Sequence, residues 1–550
     1  MHLLKTAGAH RARRELASVL RIFLSSFLLA IVIVSVTAWS LEGPRGGRLV
    51  DAVVSHSSPT TLTGKVATLL TPRLREYAKG EKFATVCNIF LLAGLCFSFL
   101  VVAARHELIE EVRFRLSSRR EMISAGPWRG IVPHPRKFLL LALCLFSTFF
   151  ALYAAVGYRL ASSAAFFQGN FFEFDPYRII SNITDPSTVG IGMGVHPLYR
   201  LLLNPLGSLL SAFGVPPLPC VVFIDSLLGA LAAVLAFLFF WITSHGQTGS
   251  FLVSLLFPLS MSQLLVSTFP ETGPLAACSL IVTYLLFWLT LQMEQIPIVW
   301  WTVAGVLSFG VTTANVVQTV LCLAVAAAAL ERKRPRRPQW PQVLLVLMGL
   351  LALATVLSIL QKWAYPSYPL FFLPSTYLDV FPFFYVSVLR DPFLVIPEVV
   401  KQVMIVTLMG PMPRTVTSAS VGGLGLSFFR SSDYSALGWL GVLMMVVGLV
   451  GGAVRLWACR DERPFLLGIC LCLLFNLGFH SFYGASEGGR LELMVYSGDY
   501  AFLVLAFLTG FARSKGSLVR TYLLALIVIA AVNNLAVLRH IVRICTAMRS

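Results

Sequence analysis

Apolar runs long enough to cross a lipid bilayer recur along almost the whole of this chain, and no other feature limits its fold so tightly. A spanning helix needs about 20 apolar residues, roughly 17–25 in practice. By that measure spans fall near 20–42, 84–104, 138–160, 216–243, 250–267, 273–292, 341–361, 436–456, 465–483, 496–512 and 520–538. The stretch 298–330 is too long for one helix. It is interrupted at Thr312-Thr313-Ala314-Asn315, which predicts two shorter helices turning there. The total is about 13 spans. In a bilayer core the backbone must satisfy its own hydrogen bonds, so such runs are helices. The expected class is all-α, a polytopic transmembrane helical protein.

Composition agrees with this reading. Of 550 residues, 57% are hydrophobic and only 12% charged, with a mean hydropathy of +0.80. A soluble domain carries roughly 25% charged residues. The net charge of +18 would suit nucleic acid, but its placement argues against such a partner. The basic residues sit in short clusters between apolar runs: His10 to Arg14, Arg119-Arg120, Arg332 to Arg337, Arg455 to Arg463 and Arg513 to Arg520. Cytoplasmic loops of membrane proteins show this distribution.

Orientation follows from those clusters. With the N-terminus in the cytoplasm, loops 105–137, 331–340, 455–464 and 513–519 fall inside, and 162–215, 268–272, 362–435 and 484–495 fall outside. Loop 43–83 dissents, with seven Lys or Arg residues assigned outside, but it also holds three acids and is long. Long loops obey the charge rule weakly. The apolar run Ile22 to Trp39 exceeds the roughly 7–15 residues of a signal-peptide core, so it reads as a retained first span. Residues 1–137 form an N-terminal extension with two spans and a basic loop, and 138–550 form the core. The ten cysteines lie in or beside apolar runs without metal or disulfide spacing, as small packing residues do. Motifs for P-loop and zincin chemistry are absent.

The polar residues that stand out are in the outer loops. Phe171-Phe172-Glu173-Phe174-Asp175-Pro176-Tyr177-Arg178 puts an acid-x-acid pair and a base just after a span. A carboxylate near low dielectric is pushed toward its neutral form unless a cation stands by, and Arg178 is three residues on. An ionised Asp175 is suited to taking a proton from a hydroxyl; equally, it suits a salt-bridged turn acid beside Pro176. His196 precedes Pro197 and can contact phosphate or sugar, or serve as an interface histidine. The apolar stretch from Tyr199 to Gly207, interrupted by Pro205, reads as a helix lying in the interface. Arg178, Arg200, Lys362 and Arg490 are outer cations of the type that recognises phosphate, although most such residues are solvated. Glu271, in the turn Phe269 to Pro274, and Glu487, ahead of Arg490 and Glu492, face the same compartment. Asp225 sits inside a span and must be paired or line a cavity. Loop 362–435 is rich in aromatic residues, which mark the membrane interface or stack on sugars.

Taken together, the span count, Asp175-Pro176-Tyr177-Arg178 in the first outer loop of the core, His196-Pro197-Leu198-Tyr199, Asn204-Pro205-Leu206-Gly207 and the paired helices around Asn315 resemble the GT-C superfamily. These are integral-membrane glycosyltransferases that use polyprenyl-phosphate sugars. The acidic loop follows the third span here, whereas in the family it usually follows the first. The resemblance implies an inverting glycosyltransferase with Asp175 as general base and Glu173 beside it. Arg178, His196, Arg200, Glu271, Lys362, Glu487 and Arg490 would form the substrate-binding set. It further implies a polyprenyl-phosphate-linked donor, a lipid, glycan or protein acceptor, no predicted metal or other cofactor, and a bacterial inner membrane with the site on the outer face. The alternatives are a transporter or flippase of a lipid-linked or anionic substrate, and a non-catalytic scaffold.

Overall fold

In the computed structural model, the described residues run from 135 to 547, leaving out 162–170, 173, 188–192, 244–246, 336–337, 374–375, 377–391, 418–423, 428–432, 488–489 and 509–516. The expected spans at 20–42 and 84–104 therefore lie outside the described residues. The chain divides into two compact units, residues 1–124 with 335–364 and residues 125–334 with 365–550. In the first, the described element is one long apolar helix, Trp340–Ala364, called α10 in chain order.

The second unit carries the other helices: α1 Pro135–Ala161, α2 Pro176–Thr184, α3 Tyr199–Ala212, α4 Pro217–Thr243, α5 Gln247–Leu256, α6 Met261–Val266 and α7 Gly273–Met293. It continues with α8 Ile298–Val311, α9 Asn315–Lys333, α11 Pro392–Lys401, α12 Ala436–Ala458, α13 Arg463–His480, α14 Ala501–Leu508 and α15 Ser517–Ala547. Two short antiparallel hairpins interrupt the helical plan: β1 Arg414–Thr417 with β2 Leu424–Ser427, and β3 Ala485–Glu487 with β4 Arg490–Glu492.

Among the described residues, eight helices are long and apolar enough to cross a membrane: α1, α4, α7, α9, α10, α12, α13 and α15. The protein is an integral membrane protein. Helix α12 shows how sequence pattern becomes packing. Leu443, Val447, Val450 and Val454 form one exposed apolar stripe, while Gly441, Gly448 and Gly452 face inward. A Cβ on Gly452 would run into the Phe507 carbonyl, so the small residue sets how closely α12 approaches α14.

The break expected at 312–315 is present, with α8 ending at Val311 and α9 starting at Asn315. The stretch 250–267 differs from the expected single span. It forms α5 and the one-and-a-half-turn α6, separated at residues 257–260. Pro258 interrupts the helical ladder, and the Ser260 hydroxyl caps α6 by accepting from Gln263 N at 3.2 Å. The expected span 496–512 also differs. It begins as a 3₁₀ turn, Met494–Asp499, and only then becomes α14, whose described length is 8 residues.

Backbone groups freed at the α5–α6 break find partners from distant parts of the chain. The Tyr153 hydroxyl donates to the Pro258 carbonyl at 2.9 Å, and Ser262 N donates to the Thr407 carbonyl at 2.9 Å. Asn534, on α15, donates to the carbonyls of Leu259 (2.9 Å) and Leu408 (2.7 Å) and accepts from Gly410 N (3.0 Å). Its neighbour Asn533 donates to the Gly410 carbonyl at 2.8 Å. Asn534→Leu keeps the volume but strands the Leu259 carbonyl and Gly410 N, each costing about 1–3 kcal/mol, and leaves the Leu408 carbonyl only its 3.4 Å bond from Met261 N. A drop in Tm in detergent of several degrees is expected, whereas Leu535→Ala on the exposed side of the same turn changes it little. Equal thermal stability of the two variants would contradict this account.

Candidate functional site

Asp175 is the N-cap of α2, with Pro176 at the first helical position, where its missing N–H is no loss. Its two oxygens are used differently. Oδ1 accepts from Arg178 N at 3.2 Å, and Oδ2 lies 3.3 Å from Arg178 Nε. The carboxylate is nevertheless half exposed, at 50%, against 26% for Arg178. The segment ahead of it is pinned by aromatic packing. Phe171, Phe172 and Phe174 are buried, and the Phe174 and Phe269 rings stack at 5.3 Å. Phe269 lies two residues before Glu271, so this contact brings the Asp175 loop to the turn that precedes α7. Glu173 lies outside the described residues.

Glu271 is buried, at 2% exposure. Its Oε1 accepts from Thr272 N (2.8 Å) and from the Thr272 hydroxyl (3.1 Å), while Oε2 has no hydrogen-bond partner. Burial pushes its carboxyl above the usual glutamate range, and the Arg178 guanidinium pulls in the opposite direction. Glu271 N donates to Asp225 Oδ2 at 3.2 Å, which joins α4 to this turn and leaves Asp225 Oδ1 without a partner. The Tyr199 hydroxyl, buried and likewise without a partner, has its acidity suppressed by burial and then by the charges of Asp225 and Glu271. Asp499, at the end of the 3₁₀ turn, accepts from Asn315 Nδ2 at 2.6 Å, next to the α8–α9 break. Gly498 makes this approach possible, since a Cβ there would strike the backbone of Gly273.

The result is a cluster of acids and phenols, most of them in the field of Arg178. The field of Arg178 reaches Glu271, His196, Tyr199, Tyr368, Tyr483 and Tyr496. Asp175, Glu271, Asp225 and Asp499 supply the acids; among the described residues, no group of three or more His, Cys, Asp or Glu side chains is arranged to hold a metal ion. Such a wall can accept hydrogen bonds from hydroxyls, hold a single anionic group at Arg178, and take up a proton at its exposed carboxylate.

Other expected site residues fall elsewhere. His196 is buried and structural in its contacts. Its Nδ1 lies 2.6 Å from the Val311 carbonyl, a bond that only an Nδ1–H can make, and its own carbonyl accepts from the Tyr368 hydroxyl at 2.7 Å. With Leu198 N on the Gly310 carbonyl and Thr313 N on the Val195 carbonyl (both 2.8 Å), this loop closes the α8–α9 break. Arg200 is fully buried, donates to the Asp185 carbonyl, and lies over the rings of Tyr365 (5.1 Å) and Tyr368 (5.9 Å). It ties α3 to its surroundings by hydrogen bonding and cation–π attraction. Lys362 belongs to the last turn of α10, in the other unit. Glu487 and Arg490 face each other across the β3–β4 turn by backbone register. Sequence reasoning missed Tyr199, Tyr368 and Tyr483 as members of the cluster, and nothing in their local sequence separates them from other interface tyrosines.

No known protein family matches the chain, and no characterised protein matches it.

His196 makes the stability of the fold depend on pH. Burial, helped by the charge of Arg178, lowers its pKa from 6.5 to about 3. Between those values the unfolded chain binds a proton that the folded one refuses, so stability is lost as pH falls through about 6.5 and is regained as it rises. At pH 5 the loss is about 2 kcal/mol, from 1.36 kcal/mol per unit. His196→Gln, which keeps an amide donor for Val311, is expected to flatten the fall in Tm between pH 7 and pH 5. An unchanged slope would rule out His196 as its source.

Proposed function

We propose that this protein is an integral-membrane glycosyltransferase of the GT-C type. It moves a sugar from a polyprenyl-phosphate donor to a hydroxyl of a lipid, glycan or protein acceptor. The reading takes the chain as having about 13 spans, with its N-terminus in the cytoplasm of a bacterial cell and its site on the outer face of the inner membrane. The observation that carries it is Asp175: a half-exposed carboxylate, fixed at a helix start, beside Arg178.

The chemistry assigns each group a task. The acceptor oxygen attacks the anomeric carbon as its proton passes to the Asp175 carboxylate. The bond from that carbon to the phosphate oxygen breaks, and the polyprenyl phosphate leaves with the electron pair, inverting the configuration. Arg178 stands where the phosphate charge needs a partner. Glu271 and Asp225, with oxygens left over, accept from sugar hydroxyls. Aromatic side chains at the site, Tyr483 and Tyr496 among them, offer faces for a sugar ring.

One observation favours the transporter reading. Helices are broken at α5–α6 and α8–α9, and the second break lies beside buried Asn315 and Asp499. Transporters place substrate at such breaks. Uptake into proteoliposomes without sugar transfer would support it.

Asp175→Asn separates chemistry from structure, because Asn caps a helix as well as Asp does. In membranes supplied with a panel of polyprenyl-phosphate sugars, transfer is expected to fall by about 10²–10⁴, with Tm preserved. Full activity in this variant would remove Asp175 as the base.

A further inference from the structure

The two ends of α7 differ in chemistry. Its first turn adjoins Glu271. Its last turn, 21 residues on, is roughly 30 Å away at 1.5 Å per residue. There the final turns of α7 and α9 and the start of α13 enclose a groove of 1010 Å³. Its rim is basic: Arg332 and Lys333 from α9, Arg460 and Arg463 from the turn into α13. Its walls are apolar, with Trp288 and Leu291 from α7, Val325 and Ala328 from α9, and Phe465 and Leu467 from α13. The Trp288 and Phe465 rings meet edge to face at 5.1 Å, and the small Ala328 and Ala329 leave the opening beside them.

The rim is only partly neutralised from within. Glu294, which ends α7 in a left-handed conformation (φ 52°), is engaged by Lys333 at 3.2 Å and Arg334 at 2.6 Å. Arg463 donates to the carbonyls of Leu456 and Trp457. Arg332 and Arg460 are exposed and form no ion pair among the described residues, and Asp461 is the one acid on the rim not already engaged by a neighbouring cation. A topological bias in charge would account for basic residues at helix ends. It would not account for a groove between those ends whose depth is apolar and aromatic.

We propose that this groove binds an anionic phospholipid of the surrounding bilayer. The lipid phosphate sits between Arg332 and Arg460, and its acyl chains lie against the apolar lining that α7, α9 and α13 share. Charge complementarity selects the headgroup, since arginine pairs with phosphate through a two-pronged fork. Position selects the source. All three lining helices are long and apolar enough to span, so their ends lie where lipid phosphates lie, and basic pockets between such ends take anionic headgroups. The site does not depend on the transfer reaction proposed above.

The test uses the full chain in detergent, titrated with phosphatidylglycerol, phosphatidylcholine or inorganic phosphate, with Tm and native mass spectrometry as readouts. Phosphatidylglycerol is expected to raise Tm and stay bound, and the other two are not. Arg332→Gln with Arg460→Gln is expected to weaken phosphatidylglycerol binding on the order of ten-fold or more, while Tm without lipid stays at the wild-type value. Arg539→Gln with Arg543→Gln removes the same charge from α15 and is expected to leave binding intact. Equal losses in the two double variants would mean unspecific attraction and would overturn the proposal. So would an equal response to phosphatidylcholine, or a response to inorganic phosphate alone, which would make the groove a site for a soluble anion.

Discussion

A backbone N–H or C=O without a partner costs several kcal/mol in apolar surroundings, and this unit of the structure is arranged around that cost. Its apolar segments do not all run straight through. They break at 257–260 and at 312–314, and a π-helical turn at Gln402–Val406 precedes a third irregular stretch. At each place the freed groups are met by a side chain or a loop from far along the sequence. Asn534 and Tyr153 serve the first break, the loop 193–198 the second, and Asn534 again the third, through the Leu408 carbonyl and Gly410 N. The breaks give the site its residues. Glu271 and Asn315 lie just beyond a helix that stops early, and Asp499 closes the 3₁₀ turn ahead of α14.

How much of this is legible in sequence depends on whether the signal is local. Hydropathy locates α1, α4, α7, α10 and α12 to within a few residues, because a spanning helix declares itself by composition over its own length. The break before Asn315 is legible for the same reason, as polar residues interrupt an apolar run. The break at Pro258 had local signals too, a proline and a capping serine, but the hydropathy of 250–267 conceals them. The salt bridge between Asp175 and Arg178 follows from spacing within one turn. The link between Asp225 and Glu271 does not, since it joins residues 46 apart. Nor does the bond from His196 to the Val311 carbonyl, 115 residues away, which gives that histidine a supporting part. Arg200 illustrates the same limit, because an outward-reading cation is buried under two tyrosine rings.

The electrostatics of the two ends of α7 are opposite, and the helices between them are nearly free of charge. One end gathers carboxylates and phenols in the field of Arg178. The other presents arginines and a lysine over an apolar cleft. A chain with 12% charged residues thus keeps polar chemistry at the ends of its helices.

Phe172 has a positive φ of 56°, a conformation that costs an aromatic residue free energy and persists only where its neighbours enforce it. The enforcement comes from β2: Phe172 N donates to the Leu426 carbonyl at 2.9 Å, and Phe171 bridges to the same residue. The loop that presents Asp175 is thus hung on a hairpin about 250 positions later in the chain. Length changes in the turn between β1 and β2 leave the anchor in place, but a one-residue slip of β2 moves the carboxylate.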